Sequence, residues 1–159
     1  MADTLTPAQR SRVMASIRAT DTEPERFVRS VLHGMGYRFR LHVRALPGTP
    51  DIVLPRHRTV VLVHGCFWHR HARCRNAGTP ATRRRFWMAK FARNVERDRA
   101  VQRALRRAGW RIVVVWECQI RRAARDPGRR ARLSARLAQR IGRSAVTAAE
   151  ETSPHRGLR

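Results

Sequence analysis

The residues with the most chemistry in them are packed into one stretch. An apolar run, Val60-Val61-Leu62-Val63, leads straight into His64-Gly65-Cys66-Phe67-Trp68-His69-Arg70-His71-Ala72-Arg73-Cys74. Thiolates and imidazoles bind zinc, imidazoles move protons near neutral pH, and adjacent aromatic rings can wedge between stacked bases. Cys66 and Cys74 bracket this stretch, and Cys118 follows a second apolar run further on. With one histidine they make the four-ligand set that structural zinc prefers. His69 and His71 both lie a short step from Cys66 and compete for the fourth position. Three cysteines cannot close a disulfide framework, so metal binding is the more economical use of all of them. The competing explanation leaves Cys118 an ordinary buried residue and His71 a solvated one.

A second group of residues fits hydrolysis. Asp51, in Pro50-Asp51-Ile52-Val53, stands at the head of a short strand pattern beside the Val60–Val63 run. A carboxylate there can hold magnesium together with a backbone carbonyl of the neighbouring strand, and magnesium readily accepts phosphate oxygens. His64 and His69 follow that neighbouring strand, and either could take a proton from an attacking water. Each has a plainer explanation as well. Asp51 suits a turn after proline, and His64 suits a backbone-bonded core position. Glu25 completes a capping box with Thr22, which is a full structural account of it. The pair Phe67-Trp68 fits a base-stack wedge, which Trp87 and Met14 could join, although Trp87 and Met14 taken singly suit core packing better. Trp110 and Trp116 are assigned to the core.

The elements that must position these groups follow from periodicity. Thr22, Pro24 and Glu25 open a helix whose apolar face is Phe27, Val28, Val31, Leu32 and Met35, ended by Gly34 and Gly36. Tyr37, Phe39 and Leu41 alternate with arginines as a half-exposed strand. Ile52-Val53-Leu54 and Thr59 to Val63 read as neighbouring strands of a hairpin, with Pro55 stopping the first. A helix from Thr82 to Ala108 carries Trp87, Phe91, Val95, Val101 and Leu105 on its buried side and ends at Gly109. Trp110 to Trp116 is a second buried strand. A strand, a long helix and another buried strand imply a parallel crossover in a mixed sheet, hence an α/β fold. Asp126-Pro127-Gly128 interrupts the chain before a last basic helix marked by Leu133, Leu137 and Ile141. Residues 1–20 read as an arm with a short helix near Pro7, 21–141 as one domain, and 142–159 as a basic, disordered tail.

The partner is indicated by charge. Arginine and lysine number 35 against 11 acids, a formal net charge of +24, and Lys90 is the sole lysine. Self-repulsion of that size calls for a polyanion, with nucleic acid first among them. No segment has the roughly 20 apolar residues of a membrane span, and no charged-then-apolar leader points to secretion. A cytoplasmic location is therefore expected. On residue chemistry alone, a metal-dependent hydrolase and a zinc-stabilised DNA-binding module are both open.

Five blocks together resemble one family. They are Thr20-Asp21-Thr22-Glu23-Pro24-Glu25, Leu46-Pro47-Gly48-Thr49-Pro50-Asp51, His64-Gly65-Cys66-Phe67-Trp68-His69, Phe86-Trp87 with Asn94-Val95-Glu96-Arg97-Asp98, and Val115-Trp116-Glu117-Cys118. They are similar to the very-short-patch DNA mismatch repair endonucleases (Vsr), from about Arg10 to about Ile141. The resemblance implies a restriction-endonuclease-like mixed sheet flanked by helices, with a structural zinc. It implies magnesium-dependent nicking of duplex DNA on the 5′ side of a thymine mispaired with guanine, the product of 5-methylcytosine deamination. Asp51 would hold Mg2+ with the backbone carbonyl of Val63, with His69 as general base and His64 and Glu25 completing the site. Cys66, His71, Cys74 and Cys118 would hold Zn2+. Phe67, Trp68, Trp87 and, from the arm, Met14 would contact the DNA. A cytosine-5 DNA methyltransferase would be the functional companion, mismatch-repair proteins further partners, and the enzyme a monomer working at the bacterial nucleoid. The spacing His71-Ala72-Arg73-Cys74 and the apolar Val63 vary within such a family. The tail after Gly142 matches nothing in it.

Overall fold

A computed structural model describes residues 20–142. The expected arm helix near Pro7, Met14 and the tail beyond Gly142 lie outside the described residues. Helix α1 spans Glu23–Gly34. Thr22 caps it as expected: its hydroxyl accepts from the Glu25 N–H at 3.4 Å and donates to Glu25 Oε1 at 2.8 Å, while Asp21 N–H reaches Glu25 Oε2 at 3.0 Å. That reciprocal pairing satisfies N–H groups with no helical partner. Val28, Val31 and Leu32 are buried on one face, with Phe27 and Met35 packed at its margin.

Four strands form one mixed sheet in the order β1-β2-β3-β4: β1 Arg40–Leu41, β2 Ile52–Leu54, β3 Thr59–His64 and β4 Arg111–Trp116. β1 and β2 are antiparallel, as are β2 and β3, while β3 and β4 run parallel with Val63 opposite Val115 and His64 opposite Trp116. The hairpin and the crossover are therefore as the sequence pattern implies. The expected strand over Tyr37–Leu41 shrinks to two residues. Its partner β2 is only three residues long, and His42 turns into the left-handed region (φ 45°), so the ladder has nowhere to continue.

Helix α2 covers Arg84–Arg107 and links β3 to β4. It starts two residues later than expected because Arg83 sits in the left-handed region. After β4 comes α3, Glu117–Ala124, which hydrophobic spacing did not reveal, and then α4, Pro127–Ile141, capped by Asp126. The strands alternate their side chains between faces. Ile52, Leu54, Val61, Val113 and Val115 face α1, α3 and α4, and with Leu32, Ile120, Leu133, Leu137 and Ile141 make the main core. Val53 and Val60 face the other way, onto Leu105 and Val101 of α2. The turn ahead of β2 is held tightly to α2. A Cβ on Gly48 (φ 72°) would fall 2.4 Å from a Val101 methyl, so only glycine permits the approach that fixes Pro50-Asp51. Among the described residues no helix is long and apolar enough to cross a membrane.

Candidate active site and metal centre

Asp51 precedes β2, and its Oδ2 accepts the Val63 N–H at 2.8 Å. Residue 63 lies beyond the end of the β2–β3 ladder, whose last pair is Ile52 with Val61. In a ladder the N–H and C=O of one strand residue face the same neighbour. The Val63 carbonyl therefore points to Asp51's side, where no ladder partner consumes it. Burial raises the Asp51 carboxyl above the usual carboxylate range. The Val63 N–H opposes that rise, the charge of Glu25 adds to it, and His42 and His69 oppose it. A buried carboxylate under such strain is relieved by a cation.

His64 ends β3 and is buried; its ring lies stacked on that of His69, centroids 4.0 Å apart and 12° from parallel. Burial first, and the neighbouring His69 second, depress the His64 pKa to about 4, so it is neutral at pH 7. His69 Nδ1 is 2.5 Å from Asp98 Oδ2. Burial raises the Asp98 carboxyl, but the His69 hydrogen bond and the charges of His69, His64 and Arg97 outweigh it, and the net shift is downward. An ionised Asp98 only accepts, so Nδ1 is the nitrogen that donates to it, and Nε2 is the nitrogen Asp98 leaves unengaged. Ligand atoms of His64, His69 and Asp98 approach closely enough to suggest a metal site. A metal must lie in the plane of each imidazole it binds, however, and two stacked rings do not share one. The arrangement pairs a carboxylate with a histidine and could serve acid–base chemistry.

These groups share a groove of about 920 Å³ with Asp51, Glu25 and His42. Glu25 is buried and, besides its cap bonds, receives Arg29 Nη2 at 2.9 Å. Arg29 also binds Asp21 and contacts His42 Nε2 at 3.2 Å. The guanidinium thus fills the position a cation would take among Asp21, Glu25 and His42.

On the other side of Trp116 the cysteines converge. Ligand atoms of Cys66, His71, Cys74 and Cys118 all lie within 4.8 Å of one another. His71 Nδ1 is 3.6 Å from Cys66 Sγ and 3.4 Å from Cys118 Sγ. The first turn of α3 supplies Cys118, while His71 N–H bonded to the Cys66 carbonyl at 3.1 Å coils the loop. Burial pushes the Cys66 thiol up to about 12 and raises Cys118, whereas the Asn76 backbone N–H lowers Cys74. Three thiols and an imidazole so placed could hold a metal ion. His71, not His69, is the histidine brought to the cysteines. His69 is engaged by Asp98.

The aromatic residues cluster. Phe67 meets Trp68, Trp87 and Phe91 edge-on with centroids 5.0, 5.4 and 5.0 Å away. The loop is a coil with His69 N–H bonded to Gly65 O, not an extended segment, so adjacent rings reach the same neighbour, Trp87. Phe67 and Trp68 are half-buried, and Trp87 is 5% exposed. Lys90 Nζ lies 5.1 Å over the Trp68 ring. Trp110 and Trp116 are both half-buried; Trp110 packs against the Val53–Val60–Leu105 cluster as expected of a core residue, whereas Trp116 belongs to neither core cluster. Trp110 lies under Arg58, and Trp116 stacks on His71 at 4.1 Å while meeting His64 edge-on at 5.4 Å. One indole therefore spans the two sites.

The family profile described as DNA mismatch endonuclease Vsr matches residues 2–76. The chain is 46% identical over 121 residues to the DNA mismatch endonuclease Vsr of Escherichia coli K12, covering 76% of this chain and 77% of that one. The chain belongs to the Vsr endonuclease family. It is also 49% identical over 120 residues to the type II nicking enzyme V.XorIIP of Xanthomonas oryzae pv. oryzae, covering 76% of this chain and 88% of that one. Over 124 residues it is 40% identical to the type II nicking enzyme V.NmeAIP of Neisseria meningitidis serogroup A, covering 78% and 88%. A Vsr-family chain is a DNA-cleaving hydrolase. Within this Vsr fold, Asp51, Val63, His64, His69 and Glu25 come together at one groove, and the cysteines with His71 at a second site. Asp98 has no role on residue type and motif alone. Its signal was there, for Trp87, Phe91, Asn94, Asp98, Val101 and Leu105 step by three or four, which puts a carboxylate on the inward stripe of α2.

Proposed function

We propose that the protein nicks duplex DNA on the 5′ side of the thymine in T·G mismatches left by 5-methylcytosine deamination, by magnesium-dependent phosphodiester hydrolysis. The observation that carries the reading is the His69–Asp98 pair opening onto the same groove as Asp51 and Val63. Asp51 and the Val63 carbonyl would hold Mg2+, a donor set of hard oxygens that suits that ion. When bound, the ion polarises the phosphate and stabilises the charge that builds on it. His69 Nε2 accepts a proton from the attacking water as the water oxygen bonds to phosphorus, and the bond from phosphorus to the leaving sugar oxygen breaks. Asp98 holds the His69 proton on Nδ1 and stabilises the imidazolium formed. His64, neutral, buttresses the His69 ring. Glu25 stands behind Asp51 as a second carboxylate, with Arg29 balancing its charge.

Cys66, His71, Cys74 and Cys118 would hold Zn2+. Tetrahedral zinc with bonds of about 2.3 Å to sulfur and 2.0–2.1 Å to nitrogen has a sulfur–nitrogen edge of about 3.6 Å, and His71 Nδ1 lies 3.6 and 3.4 Å from the Cys66 and Cys118 sulfurs. The Asp51-bearing hairpin beside a parallel β4 is compatible with a restriction-endonuclease-like core over residues 21–141, flanked by a DNA-contacting arm (1–20) and a basic tail (142–159). Phe67 and Trp68 would leave their ring cluster for the base stack beside the mismatch, with Trp87 uncovered by that movement and Met14 approaching from the arm. The names of the nicking-enzyme relatives fit a role beside a cytosine-5 methyltransferase. We place the monomeric enzyme in the cytoplasm at the nucleoid, within reach of mismatch-repair proteins.

Strand-labelled duplexes carrying T·G, T·A or C·G at one methylation-type site, incubated with magnesium or with EDTA, test the proposal. Nicking confined to the T·G duplex and to magnesium is expected. Equal cleavage of all three would sink the mismatch specificity, and undiminished cleavage in EDTA would sink the metal dependence.

A further inference from the structure

A second groove, of about 520 Å³, lies over the cysteine cluster. Its walls are the Ala72–Asn76 loop and the outer face of α3, and they bring together Arg73, Arg75, Arg121, Arg122 and Arg125 with no acidic side chain among the lining residues. Part of this charge has a local use. Arg121 pairs with Glu117 at 2.6 Å, and Arg122 lies near enough to Cys74 and Cys118 to favour their thiolates. Basic residues at the C-terminal end of α3 also suit the helix dipole. Neither account covers Arg73 and Arg75, which come from a loop. Arg73, Arg75 and Arg125 have no ion pair with an acid among the described residues. Gathering like charges this closely is unfavourable without an anion to share them.

The position of the groove names the anion. Arg121 lines both this groove and the one that holds Asp51, His64 and His69, so the two are continuous through a single side chain. Arg73 is held at φ 57°, and its loop is fixed by Cys74 N–H bonded to the His71 carbonyl at 3.2 Å. The cations are thus carried on a braced surface.

We infer that the Arg73–Arg75–Arg125 groove is a phosphate track that receives the DNA backbone as it leaves the cleavage groove over Arg121. This inference rests on the reading of the first groove as the DNA-cleavage site, and it adds where the flanking duplex runs. The side chains give charge and guanidinium forks to phosphates and touch no base, so the track contributes affinity and orientation but no sequence preference.

The test is the salt dependence of binding of the full-length, metal-loaded chain to a T·G duplex, read by fluorescence anisotropy. Removing three phosphate contacts in Arg73→Gln/Arg75→Gln/Arg125→Gln lowers the slope of log K against log[salt] by about 2.7 and weakens binding at physiological salt by about 10²-fold. A charge-matched control, Arg103→Gln/Arg107→Gln/Arg132→Gln, alters residues that line neither groove. It keeps the wild-type slope. Equal loss of slope in both triples, or none in the first, overturns the track. If the first triple loses its metal or fails to fold, Arg125→Gln alone is the readout, with an expected slope change of about 0.9. The two readings fail separately. Wild-type protein that binds steeply but nicks nothing refutes the catalytic reading and spares the track, whereas an active wild type with an unaltered first triple does the reverse.

Discussion

Replacing Asp98 by asparagine isolates the acid–base step from everything else in the groove. The side chain keeps its size on α2 and can still accept a hydrogen bond, but it loses its charge and can present its NH2 to His69 instead. Two independent routes give the size of the effect. An ionised carboxylate against a developing imidazolium about 4 Å away, at an effective dielectric of about 20, is worth about 4 kcal/mol, or about 10³ in rate. The same carboxylate-to-amide change behind the histidine of a serine-protease triad lowers kcat by about 10⁴ through the wrong tautomer. The His69–Asp98 distance of 2.5 Å and the partial burial of both side chains, 21% and 16% exposed, place this pair in that regime. Single-turnover nicking at saturating magnesium and enzyme should therefore fall by 10³ to 10⁴-fold, with DNA affinity and melting temperature close to wild type. A loss smaller than about tenfold would refute the assignment of Asp98 as the group that orients His69. A parallel loss of binding would instead make it a structural residue of α2.

Asp51→Asn should abolish nicking and yet raise the melting temperature in magnesium-free buffer. The folded-state pKa of Asp51 is raised, so the fold prefers the neutral carboxyl, and its stabilisation is lost as pH rises through that value. Added magnesium should raise the melting temperature of the wild type only, and stabilisation of the variant by magnesium would count against Asp51 as the ion's holder. Cys118→Ser should lower bound zinc well below one per chain by elemental analysis and destabilise the fold by at least about 4 kcal/mol. Full zinc occupancy in that variant would remove Cys118 from the ligand set. His64, depressed to about 4 from an ordinary 6.5, is neutral in the fold, so the unfolded chain takes up its proton first as pH falls. Its contribution should cost about 2 kcal/mol of stability between pH 7 and pH 5. Urea unfolding at the two pH values should show that difference shrink in His64→Asn, and an unchanged difference would place the titration elsewhere.

The parts of this fold that are legible in the sequence are those where a local rule and the tertiary environment agree. Ile52–Leu54 and Thr59–Val63 are apolar because the sheet is covered on both faces, and they read directly as strands. Thr22 and Glu25 are a cap whose every bond is local. The misses arise where the deciding partner is distant in sequence. Tyr37–Phe39 alternate like a strand, but the length of β2 determines how much of them pairs. Helix α3 is a short segment between Trp116 and the Asp126 break, and its helical face is defined only by what Cys118, Ile120 and Ala123 pack against. Trp116 looked like core because it ends an apolar run, but β4 is the last strand of the sheet and its indole has histidines for neighbours.

The same distinction explains why the site could be named from sequence more completely than it could be assembled. Cysteines and histidines announce their chemistry by type, so Cys66, His71, Cys74, Cys118, His64 and His69 were all candidates before any fold was known. The competition between His69 and His71 was not resolvable in one dimension, since both follow Cys66 closely. In the fold the two part company: Asp98 of α2 engages His69 Nδ1, and the coil that bonds His71 N–H to the Cys66 carbonyl brings the other imidazole beside the thiols. The loop from His64 to Cys74 thus divides its histidines between two sites, with Trp116 in contact with one ring from each. A metal that fixes His71 also fixes the face of Trp116 on which that ring stacks, and through it the edge contact to His64 beneath His69. Loss of such a metal should therefore disturb the His69–Asp98 pair through packing, even though Cys66, His71, Cys74 and Cys118 do not line the groove that holds Asp51.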